Sequence, residues 1–291
     1  MMWKIACSGL IVLTLALACR ADEPAVSSTQ PIGDERDSQT ISQAADATAK
    51  QRIAQIKQEI KASPEHDWAG HYYQGDGLGM NLSLFLAPRS GFHFEWHGCL
   101  GLYNRESGKV DVENGRIKLR GAVTDESLRM NKEFVPVKWG ERRYLLPPDS
   151  LISFVNDINQ GSEPRKDIHG SFFLRWGDEE KPAKGRPGLP EPFKSYVRET
   201  PLKAKVAEVG KSSTTQHYQS KYQLTPITLD VGAADAVFVG MVLYAKGRGS
   251  MPQARVKEVS EHTCKAVFRQ ETKGAIELRE GLQFSSAPSW R

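Results

Sequence analysis

The sequence predicts a mainly β protein: an N-terminal amphipathic helix, an antiparallel β-meander or barrel-like domain with one short helix, then a second small β-barrel domain. Three observations predict it. From Trp68 onward, apolar and polar residues alternate over short runs, and turns containing glycine or proline separate the runs. Only the stretch from Ser38 to Ala62 has long helical spacing instead. Between two β-rich parts lies DEEKPAKGRPGLPEP, Asp178 to Pro192, with four prolines and no apolar period.

The elements follow in chain order. MMWK supplies one positive charge, Lys4, and Ile5 to Ala18 is fourteen residues without a charge. That run is too short to cross a ~30 Å hydrocarbon core as a helix, and it has the proportions of a signal segment. It ends in LALAC, Leu15 to Cys19. A small residue directly before a cysteine, with apolar residues ahead of it, resembles the lipobox of bacterial lipoproteins, with Ala16 where leucine is commoner. The resemblance implies removal of residues 1–18 as a signal peptide and diacylation of Cys19. It also implies membrane attachment through that lipid, facing the periplasm or the cell surface. Ala16-Leu17-Ala18 equally satisfies the small-x-small rule of ordinary signal peptidase, which would release a soluble secreted chain.

Loss of Lys4 with the signal lowers the formal charge from +4 to +3. That balance, with no basic stripe interleaved with aromatics, argues against a nucleic-acid partner. Residues 19–37 mix Pro, Ser, Asp, Glu and Gln and read as a tether. In residues 38–62, Ala45, Ala49, Ile53, Ile56 and Ile60 recur three and four apart, an amphipathic helix stopped by Pro64.

Residues 66–177 form the first β-rich domain. HYYQGDGLG is a strand and a glycine-rich turn, NLSLFLAP alternates, PRSG turns, FHFEWHG alternates, ESGK turns, and a hairpin closes on NGR. FVPVKWGERRYLL reads as a strand pair. Asp149 or Ser150 caps a short helix through Phe154 and Ile158, and SFFLRW returns as a strand. The WAG opening, Trp68 to Gly70, followed by hairpins resembles lipocalin-like barrels and the N-terminal module of a copper-stress envelope lipoprotein. Residues 178–200 read as a Pro-rich linker. In residues 201–291, KAKVAEVG, LTPITLDVG, MVLYAKG, ARVKEVS and CKAVFRQ are short alternating runs. ITLDVGAADAVFVGMVLYAKG resembles small barrels of envelope and motility-apparatus proteins, which implies a role in assembly contacts.

Cys7 leaves with the signal and Cys19 is the lipidation site, so Cys99 and Cys264 remain. In an oxidising compartment they can pair as a disulfide or stay as separate thiols. The run WHGCLG, with His97-Gly98-Cys99, resembles the catalytic motif of L,D-transpeptidases, which would make Cys99 the nucleophile beside His97. The resemblance lacks its partners. Trp96 precedes the histidine where Ser or Thr belongs, Gly101 stands in the place of Arg or Asn, and no histidine lies in the upstream window near Leu78 to Asn81. A thiolate nucleophile needs a base and an oxyanion donor.

FHFEWH also admits a metal reading. On a strand, His93, Glu95 and His97 share one face while Phe92, Phe94 and Trp96 share the other. His93 and His97 stand about 13 Å apart along a strand, so one ion would need two of the three plus His71 or His169. The plainer reading is an aromatic core face backed by a polar face. If the polar face points inward in a hollow barrel, these residues become contacts for a small ligand. GKSS, Gly210 to Ser213, lacks the glycine of a phosphate-binding loop, which Lys205 replaces, and G-x-S-x-G is absent. No cofactor is expected. The sequence reading favours a non-catalytic binding or adaptor lipoprotein of the cell envelope, with an envelope protein as partner. A cysteine-dependent cell-wall enzyme and a small-ligand or metal carrier are the alternatives.

Overall fold

Alternating side chains want one wet face and one dry face, and the computed structural model satisfies them by closing two sheets on themselves. It describes residues 35–64, 66–121, 131–165, 171–245 and 252–288, and side chains from residue 43. The signal segment, Cys19 and most of the tether therefore lie outside the described residues, as does His169. The chain divides into two units, 1–45 and 46–291. The described part of the first is helical from Glu35, the beginning of α1 (Glu35–Ala62). All that follows concerns the second.

The first barrel is an eight-stranded antiparallel meander. Its strands are β1 (Gly70–Gly75), β2 (Asn81–Ala87), β3 (Gly91–Gly98), β4 (Gly101–Glu113), β5 (Arg116–Gly121), β6 (Glu133–Trp139), β7 (Arg142–Leu146) and β8 (Phe173–Arg175). Each pairs with the next, and β8 returns to β1 through Tyr72↔Arg175 and Tyr73↔Leu174. Asn114 and Gly115, with φ of 52° and 73°, form the tight turn that NGR predicts. ESGK differs from its sequence reading. It is no turn, because β4 runs unbroken through Glu106 to Lys109. Gly108 is a glycine for another reason: a Cβ there would stand 2.0 Å from the Arg120 carbonyl oxygen, so the strands cross where no side chain fits. The chain reverses instead at Cys99 and Leu100.

Tyr72, Leu84, Leu86, Phe92, Phe94, Ile117, Leu119, Phe134, Leu145 and Phe173 fill the interior, with Trp96 packed against them. Burying one such ring contributes about 1.5–3 kcal/mol, so the aromatic face of β3 turns inward on energetic grounds. On the outside of β2, the part of α1 from Asp46 seats Ile56 on Phe85 and Ala87, flanked by Ile53 and Ile60.

The second barrel contains β9 (Lys203–Val209), β10 (Ser213–His217), β11 (Ser220–Leu229), β12 (Val242–Ala245), β13 (Gln253–Val259), β14 (Cys264–Glu271) and β15 (Gln283–Ser285). Six of these close in the order β11-β14-β13-β12-β15-β9 and back to β11. β10 flanks β11 beyond β9 and is exposed throughout.

The two barrels share one continuous core. Val135, Val137, Trp139, Tyr144 and Leu146 of the first barrel's outer face meet α2 (Leu151–Asn159) through Leu151, Phe154 and Val155. The same cluster continues into Leu229, Leu243, Val256, Phe268 and Phe284 of the second. The Pro-rich stretch 178–200 takes part as well, with Leu189 and Val197 buried in that cluster. Asn156 fastens α2 to the second barrel, its Nδ2 donating to Gly240 O at 3.0 Å and its Oδ1 accepting from Val242 N at 3.0 Å. Ser150 precedes α2 but its hydroxyl makes no capping bond.

Candidate functional site

β3 holds the residues on which the sequence places most weight, and its two faces meet different surroundings. On the outer face His93 is fully buried beneath α1. Its Nδ1 lies 2.7 Å from Ser107 Oγ and its Nε2 lies 3.2 Å from Glu95 Oε1. Glu95 also accepts from Arg105 Nε at 3.2 Å, and Arg105 Nη1 donates to Asp46 at 2.8 Å. Both imidazole nitrogens are therefore occupied. Burial lowers the His93 pKa; Glu95 works against this, and the Arg105 and Arg52 charges work with it.

His71 sits on the same outer face, with Phe85 of β2 standing between it and His93 in the register. Its ring stacks on Phe85 at 4.1 Å and on Trp176 at 5.2 Å. Burial, helped by the nearby Lys57 charge, pushes its pKa down to about 4, and its Nε2 has no hydrogen-bond partner. Among the described residues no three His, Cys, Asp or Glu side chains are placed to hold one metal ion.

Cys99 is exposed in the β3–β4 turn and Cys264 is buried in the second barrel; both are free thiols. Burial, with Asp230 nearby, pushes the Cys264 pKa up to about 11. A Cβ placed on Gly79 would lie 4.0 Å from Cys99 Sγ, so this thiol faces the β1–β2 turn. Among the described residues Cys99 has no hydrogen bond to His97 or to any other group. No base is aimed at it.

The inner face holds a residue that sequence reasoning missed. Glu106 pairs with Phe94 across β3 and β4, which turns its side chain into the barrel, where it is 3% exposed. Neither carboxylate oxygen has a hydrogen-bond partner. A Cβ on Gly121 would lie 1.4 Å from Glu106 Oε1, so the carboxylate fills the place of a side chain there. Trp96 is its diagonal neighbour at ~7–8 Å by strand geometry. The Trp96 indole Nε1 is likewise buried without an acceptor. Leaving such groups unpaired in a low-dielectric interior costs about 1–3 kcal/mol each, and more for a charged one. Neighbouring strands thus carry one unpartnered acceptor and one unpartnered donor, Glu106 at the level of Phe94 and Trp96 nearer the β3–β4 turn. The signal for Glu106 was present in the sequence: Asn104, Glu106, Gly108 and Val110 continue one alternating face, which a turn at ESGK would have broken.

A second concavity, about 530 Å³, lies outside the barrel wall between Tyr73, Asn81, Arg165, Trp176, Glu179 and Glu180. Its charges already have partners: Arg165 meets Glu163 and Glu180, and Glu179 accepts from Gly177 N. Arg142 belongs to the architecture too. It is fully buried, donating to Lys181 O and to Glu163, while Tyr144 Oη donates to Pro164 O at 2.7 Å. This clamp pins the segment around Glu163 and the start of the Pro-rich stretch to β7. No family model matches the chain, and neither a curated protein nor a solved structure matches it.

Proposed function

We propose that the protein is a non-catalytic binding module of the bacterial cell envelope, held to the membrane by a lipid on Cys19. Its ligand contacts come from the inner face of β3 and β4 in the first barrel. The observation that carries this reading is Glu106, a carboxylate buried in an aromatic interior with both oxygens unpartnered, on a strand next to that of Trp96, whose indole is also unpartnered. A folded chain tolerates such groups where a ligand completes them. The complementary ligand brings a hydrogen-bond donor or a cation to Glu106 and an acceptor to Trp96. A binding role fits Cys99 better than catalysis does, because among the described residues no base is hydrogen-bonded to the thiol, as an activated nucleophile requires. Native mass spectrometry of protein purified from the envelope of its producing cells tests the reading. The expected result is a retained small molecule of discrete mass whose occupancy falls at least tenfold in Glu106→Gln. A wild-type protein that carries nothing, or a variant that retains the same mass undiminished, overturns it.

A further inference from the structure

Leu78 is 81% exposed and Leu100 is 90% exposed, the most exposed leucines among the described residues. They occupy the tips of two adjacent turns. Asn81 pairs with His97 at the mouths of those turns, and Gly79 faces Cys99 across the gap between them. Leu102 and Tyr103, 42% and 47% exposed, continue the apolar rim. Together the two tips read GDGLGM, Gly75 to Met80, and GCLGLY, Gly98 to Tyr103. Asp76 is the single charged residue in either, and its carboxylate accepts the backbone N–H groups of Leu78, Gly79 and Met80 at 2.7, 2.8 and 3.1 Å. Those bonds hold the loop in shape with Leu78 at its apex, so presenting the leucine needs no rearrangement. Single exposed leucines are ordinary on protein surfaces; two on neighbouring hairpin tips, with no cation between them and one carboxylate bound to its own loop through Oδ1, are a patch with a direction.

The path of the chain points to what covers the patch. From Asp46, α1 runs along the barrel wall from Arg105, which stands opposite Glu95, past Gly108 to Arg89 and Ser90 in the β2–β3 turn. Traced backwards, the helix therefore heads towards the end that carries the two leucines, and Cys19 precedes Asp46 by twenty-seven residues. We propose that Leu78 and Leu100 insert into the interfacial layer of the lipid bilayer that carries the protein, so that this end of the first barrel rests on the membrane. The proposal takes its choice of occupant from the lipid reading of Cys19. Burying a leucine favours the bound state on the order of tenfold or more, and Tyr103 has the amphipathic ring that settles at the headgroup level. A rim with no cation, its one charge being the Asp76 carboxylate, gains nothing from anionic headgroups, so salt does not weaken the contact as it would a polybasic one.

Cys99 lies between the tips and reports on them directly. The full chain is reconstituted in vesicles of phosphatidylethanolamine and phosphatidylglycerol, with a polarity-sensitive fluorophore on Cys99; buried Cys264 does not compete for it at neutral pH. The expected result is blue-shifted emission, quenched by brominated acyl chains and unchanged in high salt. In the Leu78→Ser, Leu100→Ser double variant the quenching falls at least tenfold while the protein remains on the vesicles. A label that keeps its aqueous emission on vesicle-bound wild-type protein overturns the docking and leaves the anchor standing. A chain whose mass shows no acyl groups at Cys19 overturns the anchor alone. Quenching of that unanchored chain by excess vesicles, lost in the double variant, still supports the docking, and its absence overturns it.

Discussion

The two barrels answer the same problem differently. The second satisfies what it buries: Gln270 donates to Gln223 and Ile276 O and accepts from Ile276 N, Thr225 meets Ser212, and Ser286 Oγ accepts from Leu202 N. Among the described residues no buried side-chain nitrogen or oxygen beyond Arg175 lacks a partner. The first barrel has more strands and a core dense in aromatic rings, yet it leaves atoms of Trp96, Glu106, His71 and Arg175 unpartnered. Unsatisfied polar groups cost stability, so the first barrel carries a cost that the second does not, and the proposed ligand is what would offset it.

The contrast concerns polar satisfaction and does not make the barrels thermodynamically separate, since α2 ties them into one core. Phe154 packs edge-on against Trp139, Tyr144 and Phe172 inside that core. Phe154→Ala should cost about 3–5 kcal/mol and lower a single calorimetric transition that includes both barrels. Two resolved transitions, with the second barrel melting where it did before, would break the coupling.

A smaller effect tests the first barrel alone. His71 is held neutral with a pKa of about 4, against 6.5 in the unfolded chain. Below pH 6.5 the unfolded state takes up a proton that the folded state refuses, so stability is complete above that pH and falls as pH drops towards 4. The loss is on the order of 2–3 kcal/mol by pH 4.5. His93 shifts in the same direction and adds to the slope. Urea midpoints at pH 7 and pH 4.5 should differ clearly in wild type and by much less in His71→Gln. An unchanged difference would assign the acid sensitivity to another group.

The smallest effect belongs to Asp46, the outermost and half-exposed member of the chain that reaches His93. Asp46→Asn should cost no more than about 0.5 kcal/mol, and less in high salt. A loss above 2 kcal/mol would mean that this polar chain, rather than Ile56 on Phe85, seats α1.

Much of this fold was legible because period two and period three-to-four survive any tertiary context. The FHFEWH alternation, the NGR turn and the Ala49-Ile53-Ile56-Ile60 stripe all needed no partner to be read. What escaped depended on partners. ESGK looked like a turn because Gly108 answers to Arg120 on the next strand rather than to its own neighbours. Arg142 carried no sign in the sequence that Glu163 and Lys181 O would bury it. The prolines of 178–200 resembled a linker because Leu189 and Val197 are too few to make a period, though each finds a place in the core. β10 and β15 were unread, one being wholly exposed and the other only three residues long. At the candidate site the aromatic face of β3 could be foreseen, while the isolation of Glu106 could not, since a missing partner is a property of space.

Each barrel is sealed by its own first and last strands, β1 on β8 and β9 on β15. A chain delivered with its N-terminus leading must therefore wait. β1 keeps an open edge until Phe173–Arg175 arrive about a hundred residues later, and β9 until Gln283–Ser285 arrive about eighty residues after it begins. Open strand edges recruit other strands, so the hazard of this architecture is concentrated in the time before each seam shuts. The shortest strands among the described residues are thus the ones that end its exposure to mispairing, and a chain stopped just before Gln283 would keep one barrel whole and leave the other open along its entire seam.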